Sequence, residues 1–431
     1  MPGQLSAPND RELRFLQFLE AHASVINDIV RKRPELLGKR PYSLLTRFPT
    51  ILDFEVKEKF FRKKIKPDRH RRVPLRIRRD YLFEDSYQRV MQLNAGELRG
   101  RLNVQFQGEE GIDAGGLLRE WYYTISQSIM NPNYALFCQS TPGSETYQPN
   151  QHSSINVDHL RYFQFCGRVV AKAIFDHQLL DCHFTRAFYK QILGMHVSWR
   201  DLAAVDSSLY KNLLFILEND VTPFEGDFTF SLDVDRFGKL ETIDLKPGGR
   251  DLNVTEENKK EYVRLVADMK LTEAIKDQIK AFQKGFYEVI PQTDIALFNE
   301  SELELLISGL PEVDIDDLRA NTDYHSGLSA STPVIQWFWR AVRSFSRDER
   351  IKLIQFVTGT GRIPVGGFSK LVGMSGPQKF NIQKDRSGPQ RLPQAHTCFN
   401  QLDLPEYESY EQLREALKLA IMEASEGFGF G

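Results

Sequence analysis

An acidic stretch with little apolar periodicity, Glu312 to Asp323, runs into Tyr324-His-Ser-Gly327 and cuts the hydrophobic pattern of this chain in two. Before the cut, helical and strand-like patterns alternate over a long body. After it, the pattern restarts and runs to the end. A chain of 431 residues exceeds one average domain, so several folding units are expected. The break therefore predicts a hinge at Tyr324 and Gly327, with a body over residues 81–323 and a smaller unit over 328–431. A hydrophobic content of 41% with 30 Phe supplies core material for both, which argues against disorder as the main state.

Residues 1–80 read as a helical extension with a basic linker. Leu13, Leu16, Phe18 and Leu19 begin an apolar stripe that Val25, Ile26 and Ile29 continue ahead of Pro34. The amphipathic stretch Ile51 to Ile65 runs into ten Lys/Arg against two Asp between Phe61 and Asp80. Such a run reads as a solvated surface or as a dock for an acidic partner. The net charge of the whole chain is only -2, which argues against a dedicated nucleic-acid binder.

In the body, Arg101 to Gln107 alternates like a half-buried strand, and Leu117 to Met130 reads as a helix. Asp158 is placed to cap a long helix with Leu160, Phe163, Cys166, Val170 and Ala173 on one face. A helix is expected after Thr255, with Glu256 and Glu257 in its acidic first turn, and Ile275, Ile279, Phe282 and Phe286 line the next. In the smaller unit, Pro333 to Phe345 is helical, and Ser346 with Glu349 makes a capping box for a helix that Gly359 ends. Lys379 to Gln383 reads as a strand. Ser409 with Gln412 opens the last helix, which Gly427 stops.

Cys138, Cys166, Cys182 and Cys398 show no C-x-x-C spacing, so neither a zinc site nor a disulfide framework is indicated. No secretory signal and no run of about 18 apolar residues is present. The expectation is a soluble protein without a membrane role, in a reducing compartment, the cytoplasm or the nucleus, where free thiols stay reactive. Cys166 falls on a helical apolar stripe, as packed thiols do. Cys398 differs. It lies among small and polar residues between Pro393 and Pro405, which places a thiol on a loop or short exposed strand. His396 stands two residues away, and an imidazolium beside a thiol favours thiolate.

The segment Pro393-Gln-Ala-His-Thr-Cys-Phe-Asn-Gln-Leu-Asp-Leu-Pro405 closely resembles the active-site loop of HECT ubiquitin ligases. So do Gly108-Glu-Glu-Gly-Ile-Asp-Ala-Gly-Gly-Leu-Leu-Arg-Glu-Trp121, Phe165-Cys-Gly-Arg-Val-Val-Ala171, Glu304-Leu-Leu-Ile-Ser-Gly309, Gln336-Trp-Phe-Trp339 and Gln355-Phe-Val-Thr-Gly-Thr360. They follow the family's order over residues 81–431. The extension resembles the segment preceding the catalytic domain in a giant member of the family, which implies a longer parent protein.

The resemblance implies an α+β, bilobal fold: a large, mainly helical N-lobe that receives a charged E2 enzyme, and a smaller α/β C-lobe with the catalytic thiol. It implies that Cys398 carries ubiquitin as a thioester and passes it to a substrate lysine, with no cofactor and no metal. Its loop neighbours Thr397, His396 and Asp403 come with it, the last two as candidates for accepting the amine's proton. Phe428 matches the family's C-terminal aromatic that positions the lobes. Leu209, Leu213, Ile216 and Tyr262 match the E2-binding groove; a helix face carrying the first three is equally a core face. Tyr147 matches a region that holds a second, non-covalent ubiquitin. The amphipathic helices of residues 1–80 suit self-association or folding back on the lobes. The competing readings are a cysteine hydrolase, which needs a distant His and Asn/Asp against the thiol, and a catalytically silent scaffold with the same fold.

Overall fold

The computed structural model describes residues 10–109, 116–141, 144, 146–224, 226–236, 239–310, 313–373 and 376–426. Three apolar cores organise them. The largest is built around two helices, His159–Phe175 and Lys276–Val289, that cross with their backbones in contact. Glycine permits the crossing. A Cβ on Gly167 would run into the carbonyl of Phe282, and one on Gly285 into the carbonyl of Gln164. Ile279, Phe282 and Phe286 fill the face that the apolar spacing predicts, and Cys166 is fully buried on the opposing helix. The first helix begins where Asp158 predicts, although the Asp158 side chain makes no capping bond.

The basic stretch is not a linker. Its Asp68–Ile77 strand pairs in parallel with Gly100–Phe106, with the Leu82–Gln92 helix between them in sequence. Val73, Leu75 and Ile77 face the core while Arg72 and Arg76 alternate outward. The extension also packs on the body rather than standing apart. Its Phe54–Lys64 helix buries Val56, Phe60 and Phe61 in the large core, and Lys57 reaches both oxygens of Glu302 at 2.9 Å. A division at residue 80 therefore runs through a single core.

A second core belongs to a subdomain over residues 197–271, packed around the Ser207–Glu218 and Lys259–Leu271 helices. The second of these starts later than Glu256 and Glu257 suggest, because Asn258 precedes it and Lys259 is its first residue.

The third core is the C-terminal unit. Its sheet has the order Gln394–His396, Gln401–Pro405, Phe380–Asp385, Thr322–Tyr324; the first pair is antiparallel and the others are parallel. The Pro333–Ser344, Arg347–Thr358 and Tyr410–Glu426 helices contribute Ile335, Phe338, Leu353, Ile354, Leu413 and Leu417 to this core. The capping box of Ser346 with Glu349 and the Gly359 stop are both present. Ser409 Oγ accepts the Gln412 N–H at 3.2 Å at the start of the last helix.

The boundary between the units lies upstream of its expected place. Tyr324 sits in the edge strand of the C-terminal sheet and its hydroxyl accepts the Trp339 indole N–H at 2.9 Å. Leu318 is fully buried in the same core, and Leu310, Val313 and Ile315 pack against it. The last apolar residues of the N-terminal core are Leu306 and Ile307. The chain therefore changes cores at Gly309–Leu310, not at Tyr324 and Gly327. Acidity misplaces the boundary, because Asp316 and Asp317 lie on the Ile315–Ala320 helix, capped by Asp314, and Asp323 lies in the Thr322–Tyr324 strand, all within the second unit.

Candidate active site

Cys398 lies at the tip of a β-hairpin. The Gln394–His396 strand ends in a tight Thr397–Phe399 turn, and Asn400, in the left-handed conformation at φ 49°, turns the chain into Gln401–Pro405. Asparagine tolerates that conformation better than most residues. Its side chain is completely buried and pins the turn: Nδ2 donates to the Gln378 carbonyl at 2.7 Å, and Oδ1 accepts from Arg119 at 3.1 Å. Asn381 Nδ2 donates to the Phe399 carbonyl at 2.8 Å. The backbone around the thiol is thus held by buried amides, while the thiol itself is half-buried and Phe399 beside it is 47% exposed.

His396 and Asp403 do not address the thiol. They face each other across the hairpin, Nε2 to Oδ2 at 3.1 Å, and Gln401 donates to the other Asp403 oxygen at 2.6 Å. His396 shares a face of the antiparallel pair with Asp403, because it lies two residues from Gln394, the register partner of Asp403. The Thr397 side chain packs toward the N-terminal body, and its carbonyl accepts from Arg119.

The N-terminal body closes over this hairpin through one helix, Gly116–Met130. Gly116, its first residue, faces the thiol: a Cβ there would stand 3.0 Å from Cys398 Sγ and 3.0 Å from Thr397 Oγ1. One turn on, the buried Arg119 guanidinium donates to the carbonyls of Thr358 (2.8 Å), Thr397 (2.9 Å) and Val372, as well as to Asn400 Oδ1. All four acceptors belong to the C-terminal unit. Burial pushes the Arg119 guanidinium down, and the charge of Cys398 pulls it up. Asp181 pairs with Arg362 across the same interface.

The other cysteines are set apart by burial, which raises the Cys166 and Cys182 thiols far above their ordinary value and the half-buried Cys138 thiol less so. Among the described residues no three His, Cys, Asp or Glu side chains group to hold a metal ion. No described helix is long and apolar enough to cross a membrane.

Of the groove residues expected from sequence, Leu213, Ile216 and Tyr262 are buried in the subdomain core, and Leu209 packs against it. The apolar side chains exposed nearby are Phe215 (52%) on the same helix and Phe224 (41%), their rings 6.5 Å apart. Helical spacing marks an apolar face without saying whether protein or solvent meets it. Tyr147 is half-buried on the Thr146–Pro149 strand and packs against the large core. Phe428 lies outside the described residues.

Arg119, Gly116 and Asn400 are the site residues that sequence reasoning passed over. An arginine inside the apolar run Leu117-Leu-Arg-Glu-Trp-Tyr122 was the available signal, because a guanidinium there must find buried acceptors.

Comparison with known proteins identifies the family of the chain. The family model described as HECT-domain (ubiquitin-transferase) matches residues 123–431. The chain belongs to the HECT family. Its curated relatives include E3 ubiquitin-protein ligase HUWE1 of Mus musculus, 51% identical over 98% of this chain and 10% of that protein. E3 ubiquitin-protein ligase UPL1 of Arabidopsis thaliana is 53% identical over 98% of the chain and 12% of its own length. E3 ubiquitin-protein ligase TOM1 of Saccharomyces cerevisiae is 46% identical over 96% and 13%. The chain thus spans between a tenth and an eighth of these relatives, and the match includes the extension that precedes residues 123–431. In HECT terms the body is the N-lobe and the C-terminal unit the C-lobe.

Proposed function

We propose that this HECT chain is a ubiquitin transferase that accepts ubiquitin from an E2 as a thioester on Cys398 and passes it to a lysine of a protein substrate. The observation that carries the reading is the placement of Cys398: a half-exposed thiol at a hairpin tip whose backbone is fixed by buried Asn400 and Asn381. In the first step the Cys398 sulfur attacks the E2 thioester carbonyl carbon; a new C–S bond forms and the E2 thiolate leaves. In the second, an amine nitrogen attacks the Cys398 thioester; the C–N bond forms, the Cys398 thiolate leaves and the amine nitrogen loses a proton. Thioester exchange is nearly isoenergetic, so positioning carries most of the catalysis. His396, paired with Asp403 at 3.1 Å, is the proton acceptor that this reading assigns to the hairpin.

The E2 docks, in this reading, on the 197–271 subdomain through exposed Phe215 and Phe224, with Leu209 at the edge and Leu213, Ile216 and Tyr262 as the core beneath. The Thr146–Pro149 strand with Tyr147 offers the surface for a second ubiquitin. Phe428 orients the lobes, and Gly309–Leu310 serves as the hinge. The exposed side chains of Phe18, Val25 and Ile29 form a face for self-association. If Phe18→Ser/Val25→Ser/Ile29→Ser left both solution mass and activity unchanged, that last assignment would fail. Chemistry on a free thiol suits the cytoplasm or nucleus.

The deciding experiment incubates the chain with activating enzyme, charged E2 and labelled ubiquitin. A reductant-sensitive adduct that Cys398→Ala abolishes supports transfer. Absence of an adduct with every competent E2 leaves the silent scaffold, and hydrolysis of ubiquitin conjugates would favour the hydrolase.

A further inference from the structure

Arg119 stands in the N-lobe, yet every hydrogen bond recorded for its side chain reaches the C-lobe, at Thr358, Val372, Thr397 and Asn400. Two of these acceptors, the Thr397 carbonyl and Asn400 Oδ1, flank Cys398 in sequence. Among the described residues no carboxylate pairs with this buried cation. A desolvated guanidinium satisfied only by neutral oxygens is costly. The anion that chemistry would bring beside it is the Cys398 thiolate, set between the Thr397 and Asn400 acceptors that Arg119 holds.

The direction of the helix says which step this arrangement serves. The Gly116–Met130 helix has 15 residues, about 22 Å at 1.5 Å per residue. Cys398 lies at its N-terminal end. Its C-terminal end leads through Pro132–Tyr134 into the Phe137–Gln139 strand. There Cys138 and Gln148 line a cleft against Val205, Lys270 and Leu271 of the 197–271 subdomain. The thiol is therefore held at the end of the helix remote from that subdomain.

We propose that Arg119 is a positioning residue for the second half-reaction: it clamps the Cys398 hairpin to the N-lobe while ubiquitin passes from Cys398 to an amine, and it is released when the C-lobe swings to the E2. The inference rests on the transferase reading for its chemistry and on the lobe interface for its geometry. The guanidinium fork holds the loop on both sides of the thiol, at Thr397 and Asn400. Lysine in its place would offer a point charge without the fork.

Two measurements test it. In single turnover, Arg119→Ala should load from charged E2 within about twofold of the unsubstituted chain, yet discharge to free lysine at least about tenfold slower. The loss should fall in the maximal rate rather than in half-saturation by lysine, since misplacing a reacting atom costs rate. Arg119→Lys should recover little of it. Equal loss in both steps, no loss in discharge, or full recovery by lysine would overturn the role.

The second measurement needs no ubiquitin. The 3.0 Å from a Cβ at Gly116 to Cys398 Sγ is the separation that a disulfide of about 2.04 Å imposes between a sulfur and the far Cβ. Gly116→Cys should therefore cross-link to Cys398 under oxidised glutathione, and adding Arg119→Ala should slow cross-linking about tenfold. A rate unchanged by Arg119→Ala refutes the clamp even if the chain proves inactive with ubiquitin. A chain that cross-links as expected but never loads refutes only the transferase reading.

Discussion

Removing the charge of Lys57 should loosen the extension from the N-lobe and nothing else. Its ammonium sits on the Phe54–Lys64 helix, 3% exposed, and bonds both oxygens of Glu302 at 2.9 Å; Glu302 is 12% exposed. Glu302 also accepts the Asn299 N–H at 2.9 Å as part of a capping box, so it keeps one partner when the lysine goes. Lys57→Met keeps the aliphatic stem and strands a nearly buried carboxylate. Breaking one side of a buried ion pair costs about 3–5 kcal/mol, and the retained cap with residual exposure places this case near 3. Lys57→Met/Glu302→Gln keeps the cap through the amide oxygen and removes the stranded charge, so about 2 kcal/mol of the loss should return. The assay is native-state hydrogen exchange, because a chain with three cores does not unfold in two states. Amides of the Phe54–Lys64 helix should exchange about 150-fold faster in Lys57→Met, while those of the C-lobe helices stay unchanged. Unchanged exchange in that helix, or a double variant as loose as the single one, would refute the view that this pair holds the extension down.

Three further outcomes follow from the same geometry. Gly285→Ala drives a Cβ into the Gln164 carbonyl at the helix crossing, and should destabilise the N-lobe by about 3 kcal/mol or more, read as a lower melting temperature or loss of soluble protein. Phe215→Ala with Phe224→Ala removes two exposed rings without touching the subdomain core. The E2 concentration for half-maximal loading should rise by roughly 5- to 30-fold, with melting unchanged. Cys398→Ser should convert the reductant-sensitive ubiquitin adduct into one that survives reductant on a gel, because an alkoxide leaves less readily than a thiolate; a serine chain with no adduct would count against direct attack from this position.

What the sequence determined by itself is whatever depends on near neighbours. Helices built on Phe163-Cys166-Val170 and Ile279-Phe282-Phe286 stand where three- and four-residue spacing puts them, since that spacing defines a helix face. Ser346 with Glu349, and Gly359, close their helix within a few residues. The Cys398 segment was legible because prolines, small residues and polar residues in a short run exclude a core, and because the run resembles a family's loop. Tertiary structure decided the rest. Whether the apolar face of Leu213 and Ile216 meets protein or solvent depends on the Lys259–Leu271 helix and the other segments that pack over it. The chain changes cores at Gly309–Leu310 because Leu318 and the Thr322–Tyr324 strand join a unit whose other sheet strands come after residue 379. Arg119 meets Thr397 across 278 positions of chain, a contact that no local pattern encodes. Periodicity reports which side of an element is apolar; only the packing of distant segments says what covers that side and which buried polar groups face each other across it.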